Sequence, residues 1–481
     1  MLKRYFGPKI HHQVHFIVLA FFIVGVVCSK FLMSMGLLLG SLNLVLEGNF
    51  SSYFRRLKEN PLILFILAFY FLHLLGLLWT NNLTYGFDDI RKKTSLLLIP
   101  LIVGAHPVPN PKRWNKLIHY FILTLTITAI LNLIVFHFFA DRFQLIDIRD
   151  MSLFGSHIRY GILMGIGLGF CLQQIYQGSR YRNHLLVVSL FFVMYTFYSQ
   201  VLSGIIAVLI VLFGLLIFIL WQRKQLKLLF SSFLILILMG IGLLYYLSMP
   251  VHYPPLCMEK YEEMEQAWNV RSTLNYDGLD KRKQPIASTL ERYLASKKLC
   301  PNKEGVQKLT EDDIHYIETG YADIHETYGG IQARLLDIRY QLHHATNPSG
   351  HSILERLEYW KNAWQIIEEH WMIGVGTGDV DDAMQEMYVK RNSPLTQERR
   401  LRAHNSYLTY YLTFGIFGFL FFLYFQGKFI IQQWKWQQWS GFLFACIALI
   451  TFLFEDTLES QMGITMFAFF YAVFSRKITS K

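Results

Sequence analysis

Long apolar stretches recur along most of this sequence and are separated by short polar connections. A hydrocarbon core about 30 Å thick requires roughly 20 mostly apolar residues in each helix that crosses it. Stretches of this kind lie at about 15–28, 31–48, 61–79, 94–105, 115–137, 160–176, 184–199, 202–220, 227–248, 405–426, 438–454 and 462–475, of which the first two and the fourth are short or poorly separated. The pattern predicts an all-α polytopic membrane protein with about twelve transmembrane helices.

A single long polar segment, from Pro250 to Arg402, interrupts the apolar pattern. It holds 43 of the 79 charged residues in a chain of 481 residues, of which only 16% are charged. Its first part shows little periodicity, which predicts a partly helical insertion, whereas its last part contains amphipathic helices. The predicted domains are a membrane bundle of about nine helices, a polar insertion, a pair of amphipathic helices and a C-terminal bundle of about three helices, over 1–249, 250–350, 351–403 and 404–481.

Lysine and arginine are concentrated in alternate connections between the predicted spans. The termini and the connections on their side hold 19 of these residues, whereas the short loops on the other side hold seven. Because short cytoplasmic loops are enriched in lysine and arginine, both termini are predicted to be cytoplasmic and residues 250–402 to lie outside. The net charge of +11 then comes from membrane flanks. It favours contact with anionic membrane lipid and argues against a nucleic-acid partner.

Two of the five cysteines, Cys257 and Cys300, fall in the predicted outer segment, and the other three fall in predicted membrane helices. Disulfides persist outside the cytoplasm, and a disulfide that closes a loop of this length stabilises a fold by roughly 3–4 kcal/mol. We therefore expect a disulfide between Cys257 and Cys300. The alternative is two free thiols.

The clearest local pattern in the outer segment is an amphipathic helix over about 352–370. Leu357, Trp360, Trp364 and Ile367 recur at spacings of three and four residues, which places them on one face of a helix. This apolar stripe is predicted to face the mouth of the membrane bundle.

A glycine-rich run at 374–378 follows this helix and allows two interpretations. Backbone N–H groups in such a turn can bind phosphate. However, the run lacks the lysine of a P-loop and is followed by Asp379, Asp381 and Asp382, which would repel an anion. The sequence therefore favours a tight turn that orients the next helix.

Arginine and histidine collect where predicted helices reach the outer surface. Arg402 and His404 lie at the start of one such helix, Arg159 lies at the start of another, and Arg356 lies one turn before Trp360. A histidine beside arginines can act as a general base near an anionic substrate, and guanidinium groups match the geometry of phosphate. The alternatives are a histidine that caps a helix at the interface and arginines that extend to lipid headgroups.

Acidic residues lie in the final outer loop at Glu455, Asp456 and Glu459, where they can pair with these arginines. No Cys-x-x-Cys occurs, and the adjacent histidine pairs cannot both face one ion from a helix. The sequence therefore predicts no metal site, and no motif for a nucleotide or another cofactor is present.

Four motifs in this order resemble those of the O-antigen ligase/polymerase family of bacterial membrane glycosyltransferases. They are Ser156-His157-Ile-Arg159-Tyr-Gly161 at a helix start, Arg356 with Trp360 before the Gly374–Gly378 turn, His404-Asn405-x-Tyr407 with Gly415 and Gly418, and Phe454-Glu455-Asp456-x-Leu458-Glu459 before the last span. The resemblance covers most of the chain except 250–350. One position departs from it, because the Ser-Arg-Gly often found after the seventh helix is here Leu202-Ser203-Gly204.

The resemblance implies a GT-C-like bundle in the bacterial inner membrane, with one large, mainly helical periplasmic loop. It implies a glycan on undecaprenyl diphosphate as donor and a hydroxyl of lipid A–core, or of another glycan, as acceptor, with no nucleotide or metal. Arg159 and Arg356 would bind the diphosphate and stabilise its developing charge, and His404 would orient or deprotonate the acceptor. The other expected substrate contacts are Arg402, Trp360, Asn405, His157 and Tyr407.

More than one activity fits this resemblance. The first expectation is a ligase that transfers a finished glycan to lipid A–core. A polymerase that extends the lipid-linked glycan is the main alternative, and a ligase that modifies protein is a third; these share donor chemistry, so the residues named above do not separate them. A secondary transporter would require paired ionisable residues near the bilayer midplane and repeat-like halves, and the sequence shows neither.

Overall fold

The chain folds into helices joined by mostly short connections. The structure, a computed structural model, describes residues 7–145, 148–249, 260–282, 284–324, 335, 338–339, 341–343 and 348–477. Over these ranges there is no β-strand, which confirms the predicted all-α polytopic fold. The helices are α1 (Pro8–Cys28), α2 (Lys30–Glu47), α3 (Phe50–Lys58), α4 (Pro61–Leu75), α5 (Leu83–Ala105), α6 (Pro111–Phe138), α7 (Ala140–Phe143), α8 (His157–Tyr176), α9 (Arg182–Tyr198), α10 (Leu202–Gln222), α11 (Leu226–Ser248), α12 (Tyr261–Arg271), α13 (Ile286–Ser296), α14 (Lys303–Gln307), α15 (Glu311–Thr319), α16 (Ser352–Glu369), α17 (Val380–Lys390), α18 (Ser406–Trp436), α19 (Trp439–Phe454) and α20 (Gln461–Phe474).

Among the described helices, eight are long and apolar enough to cross a membrane. They are α1, α2, α4 with the 3₁₀ turn that follows it, α6, α8, α10, α11 and α18. Two shorter apolar helices, α19 and α20, and the helices α5 and α9 cover the remaining predicted spans. The largest boundary difference is in α5, which begins at Leu83 rather than near residue 94. Its polar first half, including Lys93, is therefore helical and does not form a loop.

Asparagine marks the start of several helices. The side chains of Asn60, Asn82 and Asn110 each accept a hydrogen bond from the backbone N–H three residues further on, at 2.9–3.3 Å. Such caps satisfy N–H groups that have no partner within the helix. Proline at the first helical position supports the starts at Pro61 and Pro111, because its fixed φ already suits a helix.

Helix α20 lies inside the membrane bundle. Every residue from Met462 to Phe474 is buried, and the helix packs against α1, α4, α5 and α19. The ring of Phe470, for example, lies 5.9 Å from that of Phe121 and 5.3 Å from that of Phe444. A helix that is apolar on all sides requires such surroundings.

Contacts between connections distinguish the two ends of the bundle. At the end that carries the termini, Arg476 donates a hydrogen bond to the carbonyl of Gly104 at 3.0 Å. At the opposite end, the backbone N–H of Asn82 donates to the carboxylate of Asp379 at 2.7 Å. The polar segment thus packs on the end of the bundle away from the termini.

Helices α12 to α15 form a small unit within the polar insertion. Trp268, Leu290 and Tyr293 are buried at its centre and give the unit a hydrophobic core of its own. It contacts the turn before α16, where the hydroxyl of Ser288 donates to the carbonyl of Ser349 at 3.3 Å.

The cysteines are in different states. Cys300 is disulfide-bonded, whereas Cys28, Cys171 and Cys446 are free. Cys257 lies outside the described residues, so the expected Cys257–Cys300 pair stays a prediction, which mass mapping without reduction can test.

The amphipathic helix α16 packs against α17 on one side and borders the membrane helix α18 on another. Tyr359, Ala363 and Ile366 are buried and form a shared core with α17. Leu357 and Trp364 are instead 39% and 49% exposed. The other two residues of the predicted stripe differ from them, because Ile367 is buried and Trp360 is partly buried. The exposed stripe borders the membrane helix α18.

Candidate functional site

The glycine-rich turn fastens α16 and α17 to a break in the membrane helix α18. Gly415 interrupts α18 with a φ of +65°, in the left-handed region that glycine adopts most readily. The carbonyls of Leu412 and Thr413, beside this break, accept hydrogen bonds from the N–H groups of Val375 and Gly376 at 2.9 and 3.0 Å. The two amphipathic helices are therefore held at a fixed position on the membrane bundle.

The other N–H groups of the 374–378 turn are also occupied. They donate to the carbonyls of His370 and Gly76 and to the hydroxyl of Thr80, at 2.9–3.3 Å. The carboxylate of Asp379 then accepts from backbone N–H groups of the connection before α5. With its N–H groups bound in this way, the run serves as a structural turn rather than a phosphate site.

His404 occupies a sharp turn directly before α18. Its φ of +47° lies in the left-handed region, a conformation that costs a non-glycine residue about 1–3 kcal/mol. Two contacts hold the turn. The side chain of Asn405 caps α18 by accepting from the N–H of Tyr407 at 3.0 Å, and the indole of Trp360 donates to the carbonyl of Ala403 at 3.0 Å. The imidazole remains one-third exposed.

Glu455 connects His404 with Arg356. One carboxylate oxygen lies 3.9 Å from Nδ1 of His404, and the other lies 3.3 Å from the guanidinium of Arg356. The first distance is an electrostatic contact rather than a hydrogen bond. Arg356 also donates to the carbonyl of Ser352 at 3.0 Å, which fixes its direction. A carboxylate that faces Nδ1 leaves Nε2 of His404 to face a substrate.

Arg159 lies half-buried in the first turn of α8, at the same end of the bundle. Its guanidinium fits against Gly155, where an added Cβ would lie only 2.8 Å away, and Met462 lies close to the same point. The adjacent carbonyl of Ile158 accepts from Ser203 at 3.2 Å, and Ser203 lines a small cavity together with Glu455. No described residue forms an ion pair with Arg159.

Arg402, in contrast, is surrounded by acidic side chains. It contacts Glu459 at 2.8 Å and Asp381 at 3.1 Å. Glu459 also contacts the buried amine of Lys93 at 2.9 Å, which in turn binds Asp89 at 2.7 Å. This charged network ties α5, α17 and the loop between α19 and α20 to the segment that carries His404.

Burial and opposite charges act against each other in this network. Burial raises the pKa of Glu459, but attraction to Lys93 and Arg402 is stronger and lowers that pKa to about 2. Burial lowers the pKa of Arg402, and the neighbouring Glu459 and Asp381 more than compensate, so this pKa is raised. For Asp456, burial dominates and raises the pKa. Glu459 and Arg402 therefore stay charged around neutral pH.

The remaining expected contact residues lie in two different places. Trp360, Asn405 and Tyr407 line a groove between α16 and α18. His157 lines a separate small cavity with Met151 and other residues, on the side of α8 that faces α9. Roles for these residues in substrate binding stay predictions. In the described parts of the chain, no three His, Cys, Asp or Glu side chains are grouped to hold a metal ion.

Residues 185–423 match the family described as O-antigen ligase. The chain belongs to the O-antigen ligase family. The match runs from α9 into the second half of α18 and includes Arg356, Arg402 and His404, whereas Arg159 and Glu455 lie outside it. No curated protein matches the chain. Family membership makes this chain a glycosyltransferase-like enzyme with a role in assembling O-antigen or a similar polysaccharide.

Several residues of this candidate site were not singled out from sequence. Lys93, Asp89 and Asp381 belong to the network around Arg402, and Glu455 was noted only as one of three acids that could pair with arginines. The Asp89–Lys93 spacing of four residues is a usable signal, because it places both side chains on one helix face. No pattern in the neighbouring sequence indicates that Glu459 contacts Lys93 and Arg402.

Proposed function

We propose that this protein transfers a glycan from undecaprenyl diphosphate to an acceptor hydroxyl, and that it acts as an O-antigen ligase on lipid A–core. The observation that carries the proposal is the arrangement of Arg356, Glu455 and His404 at one end of the bundle. Arg159, which forms no ion pair with a described residue, lies at the same end of the bundle. Two guanidinium groups can stabilise the negative charge of a leaving diphosphate, and a histidine can accept the proton of an attacking hydroxyl.

Arg159 and Arg356 bind the diphosphate in this proposal. Guanidinium groups donate paired hydrogen bonds to phosphate oxygens and stay charged at any physiological pH. Negative charge grows on the leaving oxygen as the glycosidic bond breaks, so positioned cations stabilise the transition state more than the bound donor. Arg159 has no acidic partner among the described residues to displace, and Arg356 has one, Glu455.

His404 acts as the general base. The acceptor oxygen attacks the anomeric carbon of the donor sugar, the bond from that carbon to the diphosphate oxygen breaks, and Nε2 of His404 takes the hydroxyl proton. Glu455, at 3.9 Å from Nδ1, stabilises the resulting imidazolium. Polyprenyl diphosphate leaves with the bonding electron pair.

Arg402 is assigned a positioning role rather than a substrate contact. Its guanidinium is already matched by Glu459 and Asp381, and it lies two residues before His404. Breaking these pairs to bind a substrate would remove one of the two cations that face the mostly buried carboxylate of Glu459, which is costly.

Lipid-linked intermediates in a deletion strain test the function. Loss of a ligase leaves long glycan on its carrier together with bare lipid A–core. Loss of a polymerase instead leaves a single repeat attached to the core, and that outcome would replace the ligase by its main alternative. Normal glycan on the core would reject both.

The site is proposed to face the periplasm from the inner membrane, with both termini in the cytoplasm. The support is the excess of basic residues on the side of the termini. A reporter active only outside the cytoplasm should work when fused near residue 300 and should fail after Lys481. The opposite result at either position would contradict the proposed location of the reaction.

A further inference from the structure

A broad groove lies between α16 and α18, on the face of α16 that does not pack on α17. Its volume is about 720 Å³, and its apolar walls include Leu357, Trp360, Trp364, Leu408, Tyr411 and Phe419. The groove extends from the cap of α18 past the Gly415 break, and the rings of Tyr411 and Phe419 stack 5.1 Å apart along its side. Because α18 is long and apolar enough to cross a membrane, the groove opens towards lipid.

The end of this groove at the cap of α18 adjoins the proposed reaction centre. Trp360 is a groove wall and also holds the His404 turn through the carbonyl of Ala403. Arg356 precedes Trp360 by one helical turn. A chain lying in the groove can therefore be continuous with a phosphate bound at Arg356.

Charge at the groove also fits an anionic lipid. Lys361 and Arg391 contribute to its lining, and the nearest acidic group to each, Glu358, lies 3.9 Å away, beyond a close ion pair. Cations beside an apolar, aromatic surface suit a hydrocarbon chain that ends in phosphate.

We propose that this groove binds the first isoprene units of the donor's polyprenyl chain. The inference rests on the proposed function and adds the site for the chain. The donor's chain is bonded directly to the diphosphate, so it must lie next to the reacting centre. The acyl chains of lipid A–core are separated from the accepting hydroxyl by the core sugars, and a groove one helical turn from Arg356 is too close for them.

Transfer kinetics with two donors test this assignment in the purified full-length enzyme. The donors carry the same glycan and diphosphate, one on an undecaprenyl chain and one on a methyl group, which is too small to reach the groove. Leu408→Trp narrows the groove, and Trp364→Ala removes a wall that is half exposed. Leu236→Trp, on the lipid-exposed helix α11, is the matched control.

Each groove variant should raise the KM for the undecaprenyl donor by about tenfold, since losing contact with two methylenes is worth roughly that factor. The KM for the methyl donor and for lipid A–core should change little, and Leu236→Trp should behave like the wild type. Equal effects on both donors, or a rise confined to the acceptor's KM, would overturn the assignment.

Failure of the proposed function can be told apart from failure of the groove. If wild-type enzyme transfers from neither donor, a photoreactive undecaprenyl diphosphate still reports the chain site directly. Cross-links within 357–364 and 408–419, lost in Leu408→Trp, support the groove. Cross-links confined to other helices reject it.

Discussion

Glu455 is the carboxylate that His404 and Arg356 share, at 3.9 Å from the imidazole and 3.3 Å from the guanidinium. These residues come from three separate parts of the chain, α16, the turn before α18 and the end of α19. The proposed general base, His404, and the residue proposed to bind the diphosphate, Arg356, therefore both depend electrostatically on Glu455.

Replacing His404 by alanine should reduce kcat by about 10²–10⁴-fold, because a positioned general base is lost. The KM for the donor should change little, since the arginines remain. Transfer by equal amounts of folded enzyme is the measurement. His184→Ala, at an exposed position near the other end of the bundle, is the control and should be fully active.

Glu455→Gln should reduce kcat by less than His404→Ala does. The amide keeps the shape of the side chain but removes the charge that faces both His404 and Arg356. Glu386→Gln, on the exposed face of α17, changes charge by the same amount outside the site. Equal activity of the two variants would show that the shared carboxylate takes no part in transfer.

Arg356→Lys should lower kcat/KM for the donor at least about tenfold. Lysine keeps the positive charge but cannot donate paired hydrogen bonds to a diphosphate. Arg113→Lys, exposed at the opposite end of the bundle, should leave kcat/KM unchanged. A fully active Arg356→Lys enzyme would show that transfer does not require paired hydrogen bonds from Arg356 to the diphosphate.

Glu459→Gln should lower the Tm at neutral pH, because the ionised carboxylate is stabilised in the fold by Lys93 and Arg402. Its pKa is lowered to about 2, so this stabilisation is present above the ordinary pKa of a glutamate and is lost as pH falls towards 2. The Tm difference from the wild type should therefore be constant above about pH 5 and shrink below it. Asp88→Asn, which breaks only exposed ion pairs with Arg91 and Lys92, should show a much weaker trend, because solvent screens such pairs. A difference that does not depend on pH would contradict the charge pairing.

Gly415→Ala should destabilise the enzyme and reduce transfer. The residue has a positive φ, and an added Cβ would lie 2.2 Å from the carbonyl oxygen of Met372. Relief of this clash would shift the turn that holds α16 and α17. Gly427→Ala lies in the same helix with open space around it, and should match or exceed the wild-type Tm. Thermal unfolding in detergent compares the two variants, and equal Tm values would exclude the proposed constraint at the break.

The sequence determined the helices, because in a bilayer each backbone must satisfy its hydrogen bonds within its own segment. Apolar length therefore placed helices at all twelve predicted spans, and asparagine caps set several of their starts. The motifs around Arg159, Arg356 and His404 were likewise local, and could be recognised without any knowledge of packing.

Only the tertiary structure decided which of the charged groups are paired. Lys93 and Glu459 are 366 positions apart, and no periodicity connects them. Arg159, Arg356 and Arg402 look alike in sequence, yet packing gives Arg402 two carboxylates, Arg356 one shared carboxylate and Arg159 none among the described residues. The same holds for α16, whose buried face was settled by contact with α17, since an amphipathic pattern does not specify which neighbour each side will meet.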